Sequence, residues 1–151
     1  MIYELRMYTT KSGKMKHVVN ASATVAQKIR NGDTYGKLVG HWWSQIGKMN
    51  QYVHMWEYSN VEEMRKLRAE LASREDWKTE FVPLVGPYIL SQEIRLLRSV
   101  SNLKQSTGTN NYYELKIINL NIGKGAMWVK EFNNIVNKIE KESINIGAWQ
   151  T

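Results

Sequence analysis

The stretch YGKLVGHWWSQIGKMNQYVHMWEY, Tyr35 to Tyr58, decides the fold. Two runs rich in aromatic and β-branched residues, Tyr35 to Ile46 and Gln51 to Tyr58, flank Gly47-Lys48-Met49-Asn50. The connection is short enough for an antiparallel return, so the pattern predicts a β-hairpin. A one-residue slip would exchange the faces of such a hairpin. Turn length therefore leaves open whether His41 or Trp42 shares a face with His54.

Upstream, Ile2 to Thr9 alternates, with Tyr3, Leu5 and Met7 on one side and Glu4, Arg6 and Tyr8 on the other. Ser12-Gly13 breaks this strand, and Met15, Val18, Val19, Ser22, Val25, Ala26 and Ile29 then fall on one helical stripe. Asn31-Gly32-Asp33 is its stop signal. Downstream of the hairpin, Asn60-Val61-Glu62-Glu63 has the form of a capping box, opening a helix with Val61, Met64, Leu67 and Leu71 inward. A further helical stretch begins at Ser73 and carries Trp77, Phe81, Leu84 and Val85, with Pro83 and Gly86-Pro87 kinking it. Ser91 to Val100 reads as a fourth strand.

The order β-α-β-β-α-β predicts an α+β, ferredoxin-like domain over residues 1–100. Helices should cover one sheet face and leave the other open. Tyr8, Trp56 and Tyr58 are expected on the open face. Burying one such aromatic is worth roughly 1.5–3 kcal/mol, so that face should seek a partner sheet and favour self-association.

Residues 101–111 (SNLKQSTGTNN) are polar, without an apolar period, and read as a linker. The pattern then restarts. Tyr113-Glu114-Leu115-Lys116 repeats Tyr3-Glu4-Leu5-Arg6, and Gly123-Lys124 repeats Gly13-Lys14 at the same offset. Trp128, Phe132, Ile135, Val136 and Ile139 make a new helical stripe, and Gly147-Ala148-Trp149 matches Gly40-His41-Trp42. Such self-similarity predicts the βαβ half of a second repeat over 112–151, with Thr151 inside its second strand.

The 151 residues are 42% hydrophobic and 11% aromatic, enough for a packed core. No apolar run approaches the ~18 residues that a membrane-spanning helix needs. The chain contains no cysteine, which excludes disulfides, thiolate chemistry and cysteine-ligated zinc within it. A formal charge of +7 could attract polyanions, but the basic residues are dispersed and phosphate-loop and RNA-binding motifs are missing. No nucleic-acid partner is expected. The opening Met1-Ile2-Tyr3-Glu4-Leu5 runs directly into a strand pattern, so no presequence is expected in this chain.

The sequence resembles the NIPSNAP family. The resemblance rests on Tyr3-Glu4-Leu5-Arg6 with Tyr8, Gly13-Lys14-Met15, Lys37 to Trp42 (KLVGHW), Gly47 to Asn50, and His54-Met55-Trp56-Glu57-Tyr58. Arg65 to Trp77 (RKLRAELASREDW) and the second-copy stretch GKGAMWVKEF complete it. Gln45 departs from the family pattern, in which an acidic residue is common there. The resemblance implies a fold of the dimeric α/β-barrel type, built from ferredoxin-like units joined sheet to sheet. It also implies a mitochondrial setting, with a part in mitochondrial quality control (mitophagy) played through protein partners; a cytoplasmic location is the alternative. The family brings no established catalytic residues and no cofactor.

Glu4, Arg6 and Tyr8 on one strand and His54, Trp56 and Tyr58 on its neighbour form the candidate cavity, joined by His41 or Trp42 according to register. A carboxylate, a guanidinium and an imidazole among aromatics are the ingredients of an acid–base or binding site. The plainer reading is a set of satisfied polar residues at a sheet interface, with no nucleophile to activate. His17, His41 and His54 lack metal-ligand spacing, so no metal site is expected. A non-enzymatic interaction protein is the expectation, with a small-ligand-binding or cofactor-independent oxygenase-like protein as the alternative.

Overall fold

The computed structural model describes residues 1–101, 104, 112–139 and 147–151. Two compact units divide it, Met1–Arg98 and Ser99–Gln150.

In the first unit, β1 (Ile2–Thr10) is the central strand. The helix expected after it forms in three joined pieces: α1 (Met15–Ala21), a π-helical turn (Ser22–Ala26) and α2 (Gln27–Arg30). It ends at Asn31, whose positive φ of 50° closes the last turn in the left-handed conformation that asparagine tolerates. The hairpin is β2 (Lys37–Trp43) and β3 (Gln51–Tyr58). Then come α3 (Val61–Ser73), a π-helical turn (Trp77–Phe81), α4 (Val82–Val85), a 3-10 turn (Gly86–Tyr88) and β4 (Ile89–Ser99).

At the start of α3, Asn60 Oδ1 accepts the Glu63 N–H at 2.9 Å. The Glu63 carboxylate reaches back one residue further than a capping box requires, to the Ser59 N–H at 2.6 Å. The prolines fragment the following helix as expected, since neither can continue an α-helical hydrogen-bond ladder.

All pairings in this unit are antiparallel, in the order β2-β3-β1-β4. Across β1 and β3, Glu4 faces Trp56, Arg6 faces His54 and Tyr8 faces Tyr52. The β2–β3 register shifts between Leu38 and Gly40, leaving Val39 as a bulge. The bulge answers the register question: His41 pairs with His54, and Trp42 pairs with Val53 on the opposite face.

The core overturns one expectation. Val18, Val19, Ile29, Leu71, Phe81 and Val85 of the helical layer cluster with Tyr52 of β3, and Tyr8 packs against the same cluster. The helices therefore cover the face of Glu4, Arg6, Tyr8, His54, Trp56 and Tyr58. That face was expected to be open. Alternation fixes which residues share a face but not which face the helices choose. The other face, with Tyr3, Leu5, Met7, Met55 and Leu97, is buried as well.

The second unit contains α5 (Gly125–Ile139) and a two-residue strand, β5 (Trp149–Gln150). Within α5 the rings of Trp128 and Phe132 stack at 5.2 Å, as one turn's spacing allows. The Val100 N–H donates to the Ala148 carbonyl at 2.9 Å. The strand expected to begin at Tyr113 is not formed, because residues 112–121 enter no strand ladder. A strand exists only with a hydrogen-bonded neighbour, and sequence repetition does not supply one. Of the linker expected at 101–111, only Ser101 and Lys104 lie among the described residues.

Candidate functional site

A carboxylate at the middle of a sheet must find donors or cations to offset its lost hydration. Glu4, only 4% exposed, finds them on two elements. Arg6, two residues along β1, donates from Nη1 to Oε1 at 3.0 Å. Arg68 of α3 pairs with Oε2. The Tyr58 hydroxyl lies 3.5 Å from that same oxygen, at the limit of a hydrogen bond. Tyr58 itself fits closely against Gly36, where an added Cβ would stand 2.4 Å from the ring.

His54 sits opposite Arg6, walled by Tyr52 stacked at 4.9 Å and Tyr8 edge-on at 5.0 Å. Its Nδ1 accepts the Trp56 indole N–H at 2.7 Å, which assigns the ring proton to Nε2. Burial first, and then the nearby Arg6, Arg68 and Arg30, hold its pKa well below the ordinary value, so the ring is neutral. His41 is drawn the same way by burial.

The third guanidinium is Arg30, at the last position of α2 and 2% exposed. Its Cζ lies over the Trp56 ring, 3.8 Å from the centroid, and Nη1 donates to the Tyr35 carbonyl at 3.1 Å. Desolvation, reinforced by Arg68, lowers its pKa to about 10, so it stays charged at neutral pH. The ring supplies attraction to a guanidinium that, among the described residues, forms no ion pair with a carboxylate.

All the residues expected in the cavity from β1 and β3 are thus brought to one face, with His41 as the β2 member. Trp42 is not among them; its ring folds over Gly40, where a Cβ would stand 2.4 Å away. Sequence reading missed Arg30 and Arg68. Arg68 hides in the basic run Arg65-Lys66-Leu67-Arg68, which reads as a solvated face, and Arg30 stands beside the helix stop. The available signal was Glu4 itself, since a buried acid on a central strand calls for a cation from the covering layer.

Among the described residues, three buried nitrogens of the cluster find no hydrogen-bond partner: Arg6 Nε, Arg68 Nε and His54 Nε2. Among the described residues no group of three or more His, Asp or Glu side chains is placed to hold a metal ion. No helix among them is long and apolar enough to cross a membrane.

A sheet whose charged, aromatic-walled face is covered by helices defines an α+β domain, and comparison with known proteins places it. The NIPSNAP family model matches residues 3–104, and the chain belongs to that family. It is 26% identical over 139 residues to Protein NipSnap homolog 3A of Homo sapiens, covering 91% of this chain and 55% of that protein. The chain therefore spans about half the length of that relative. Among solved structures, a NIPSNAP family protein from Agrobacterium tumefaciens superposes with a TM-score of 0.60 at 30% identity, over 65% of this chain and 91% of its own. An uncharacterized NIPSNAP domain protein from Burkholderia xenovorans gives 0.58 at 27% identity, over 64% and 91%.

Proposed function

We propose that this NIPSNAP-family chain is a non-enzymatic interaction protein that works at mitochondria, in mitochondrial quality control, through protein partners and self-association. The observation that carries the reading is the engagement of both candidate bases. Both Glu4 oxygens are paired with arginines, and His54 Nδ1 is held by Trp56. General-base catalysis needs a base free to reach the proton it abstracts. The mitochondrial setting is supported by family membership.

The route of self-association changes with the fold. Helices cover Tyr8, Trp56 and Tyr58, so these aromatics are not the open surface a partner sheet would need. The second unit exposes Leu115 (50%), Ile118 (55%), Ile122 (103%) and Met127 (55%), apolar surface of the kind that marks protein contacts. Sedimentation over a range of concentrations, run beside imaging of a tagged chain against a mitochondrial marker, tests the reading. Concentration-dependent dimers that Ile122→Lys weakens, with mitochondrial signal, are expected. A monomer at all concentrations spread through the cytosol would overturn it. In the oxygenase-like alternative, His54→Ala would abolish turnover of an oxidisable aromatic while leaving stability unchanged.

A further inference from the structure

The cluster around Glu4 is charged beyond its own needs. Arg6, Arg30 and Arg68 surround a single carboxylate, with His54 neutral beside them. Tyr8 and Tyr58 supply no compensating negative charge, because burial raises both phenols further above neutrality. Enclosed cations without counter-charge are costly, and so are buried donors left unbonded. The unmet donors belong to this same cluster: Nε of Arg6, Nε of Arg68 and Nε2–H of His54. His54 is 7% exposed and lies on the sheet face that the helices cover.

The cluster also has an open side. Arg6 and Arg68 side chains keep 15% and 20% of their surface exposed. Arg6 Nη2 reaches toward β4, to Gln92 Oε1 at 3.4 Å. On that strand Ile94 pairs with Arg6 and Leu96 with Glu4, so both share the cluster's face. They are 49% and 43% exposed, unusual for apolar residues beside a buried ion-pair network. An apolar ledge thus adjoins a buried cluster of unbonded donors and excess positive charge.

We infer that this juxtaposition is a binding site for a small organic acid, its carboxylate taken by Arg6, Arg68 and His54 and its apolar body laid on Ile94 and Leu96. The carboxylate supplies the missing acceptor oxygens and the missing negative charge together. An apolar tail on the ledge removes from water surface that the fold leaves wet. No bond is made or broken. The site goes beyond the interaction role and stands or falls separately from it.

The test uses the whole chain with hexanoate, acetate and the neutral hexanamide, at fixed ionic strength. Melting temperature and the His54 imidazole 15N shift are followed against probe concentration. A saturable rise with hexanoate is expected, as for a ligand that binds only the native state. Acetate should act weakly, hexanamide should have no effect, and the His54 resonance should move with the same midpoint. Arg68→Lys keeps a cation for Glu4 but removes Nε, and should weaken hexanoate roughly tenfold. Ile94→Ser should weaken hexanoate and leave acetate unchanged. Equal effects of hexanoate and hexanamide would overturn the inference, as would equal effects of acetate and hexanoate. A wild-type His54 signal that ignores hexanoate would do so whatever the variants show. So would a melting temperature that follows protein concentration instead of hexanoate, which would assign the ledge to a second copy.

Discussion

Glu4 on the central strand and Arg68 on α3, sixty-four positions apart, are joined side chain to side chain across the sheet–helix interface. Arg6 completes the pair from within the strand. Among the described residues no other ion pair links α3 to β1, and this one lies on the face that also carries the aromatic wall.

Losing Glu4 should therefore cost more than losing either arginine. Glu4→Gln leaves Arg6 and Arg68 facing each other with no carboxylate, and about 3 kcal/mol of stability should go, near the low end for a broken buried pair. Arg68→Met leaves Glu4 its contact with Arg6, and with a partly exposed partner the loss should be about 1 kcal/mol. Urea unfolding of both variants checks the order; equal losses would mean that Arg6 does not sustain Glu4.

Gly36 has φ of +102° and lies against the Tyr58 ring. Gly36→Ala combines a disfavoured backbone with a steric overlap, so a loss of about 2 kcal/mol or more is expected. Trimming the obstacle with Tyr58→Leu in the same chain should recover part of that loss. A double-mutant cycle on unfolding free energies reads it as a coupling between the two sites.

Stability should fall as pH drops through the histidine range. His54 and His41 have folded pKa values below the ordinary 6.5. Between those values and 6.5 the unfolded chain binds more protons than the folded one, so acid favours unfolding. The stabilisation is complete above 6.5 and fades below it, by up to about 1.4 kcal/mol per pH unit for each proton taken up. Unfolding midpoints at pH 7.5, 6.5 and 5.5 measure the slope, and a chain equally stable at all three would contradict a neutral, enclosed His54.

The isolated segment 112–151 should not fold cooperatively. Its residues 112–121 join no strand, and a fifteen-residue helix alone is marginal in water. Circular dichroism of the peptide should show low helicity with no sigmoidal melt.

Much of the first unit was legible because alternation and the 3.6-residue period are written directly in side-chain polarity. The hairpin, the helix stop at Asn31 and the breaks at Pro83 and Pro87 all come from such local signals. The choice of face was not legible. Tyr3, Leu5 and Met7 are buried on one side of β1, while Glu4 and Arg6 give the other side a polar signature that does not mark it as the side buried under the helices. The register around His41 depended on a bulge at Val39, for which Gly40 inside the strand was a signal of existence but not of register. Arg30 and Arg68 stayed hidden because a buried arginine is spelled like an exposed one; only its tertiary partner distinguishes them.

The π-helical turn at Ser22–Ala26 sets the phase of everything after it. A π turn holds one residue more than an α turn, and one residue of α-helix is about 100° of rotation. The buried residues keep one stripe through it, with Val18 and Val19 before, Ser22 and Ala26 within, and Ile29 and Arg30 after. Arg30 stands over Trp56 at the end of that stripe. A relative one residue shorter between Ser22 and Ala26 would keep every apolar residue of the first half in place. It would swing the arginine more than a quarter-turn off the indole, so a single-residue gap in a helix far from Glu4 in sequence would rewrite the charge of the site.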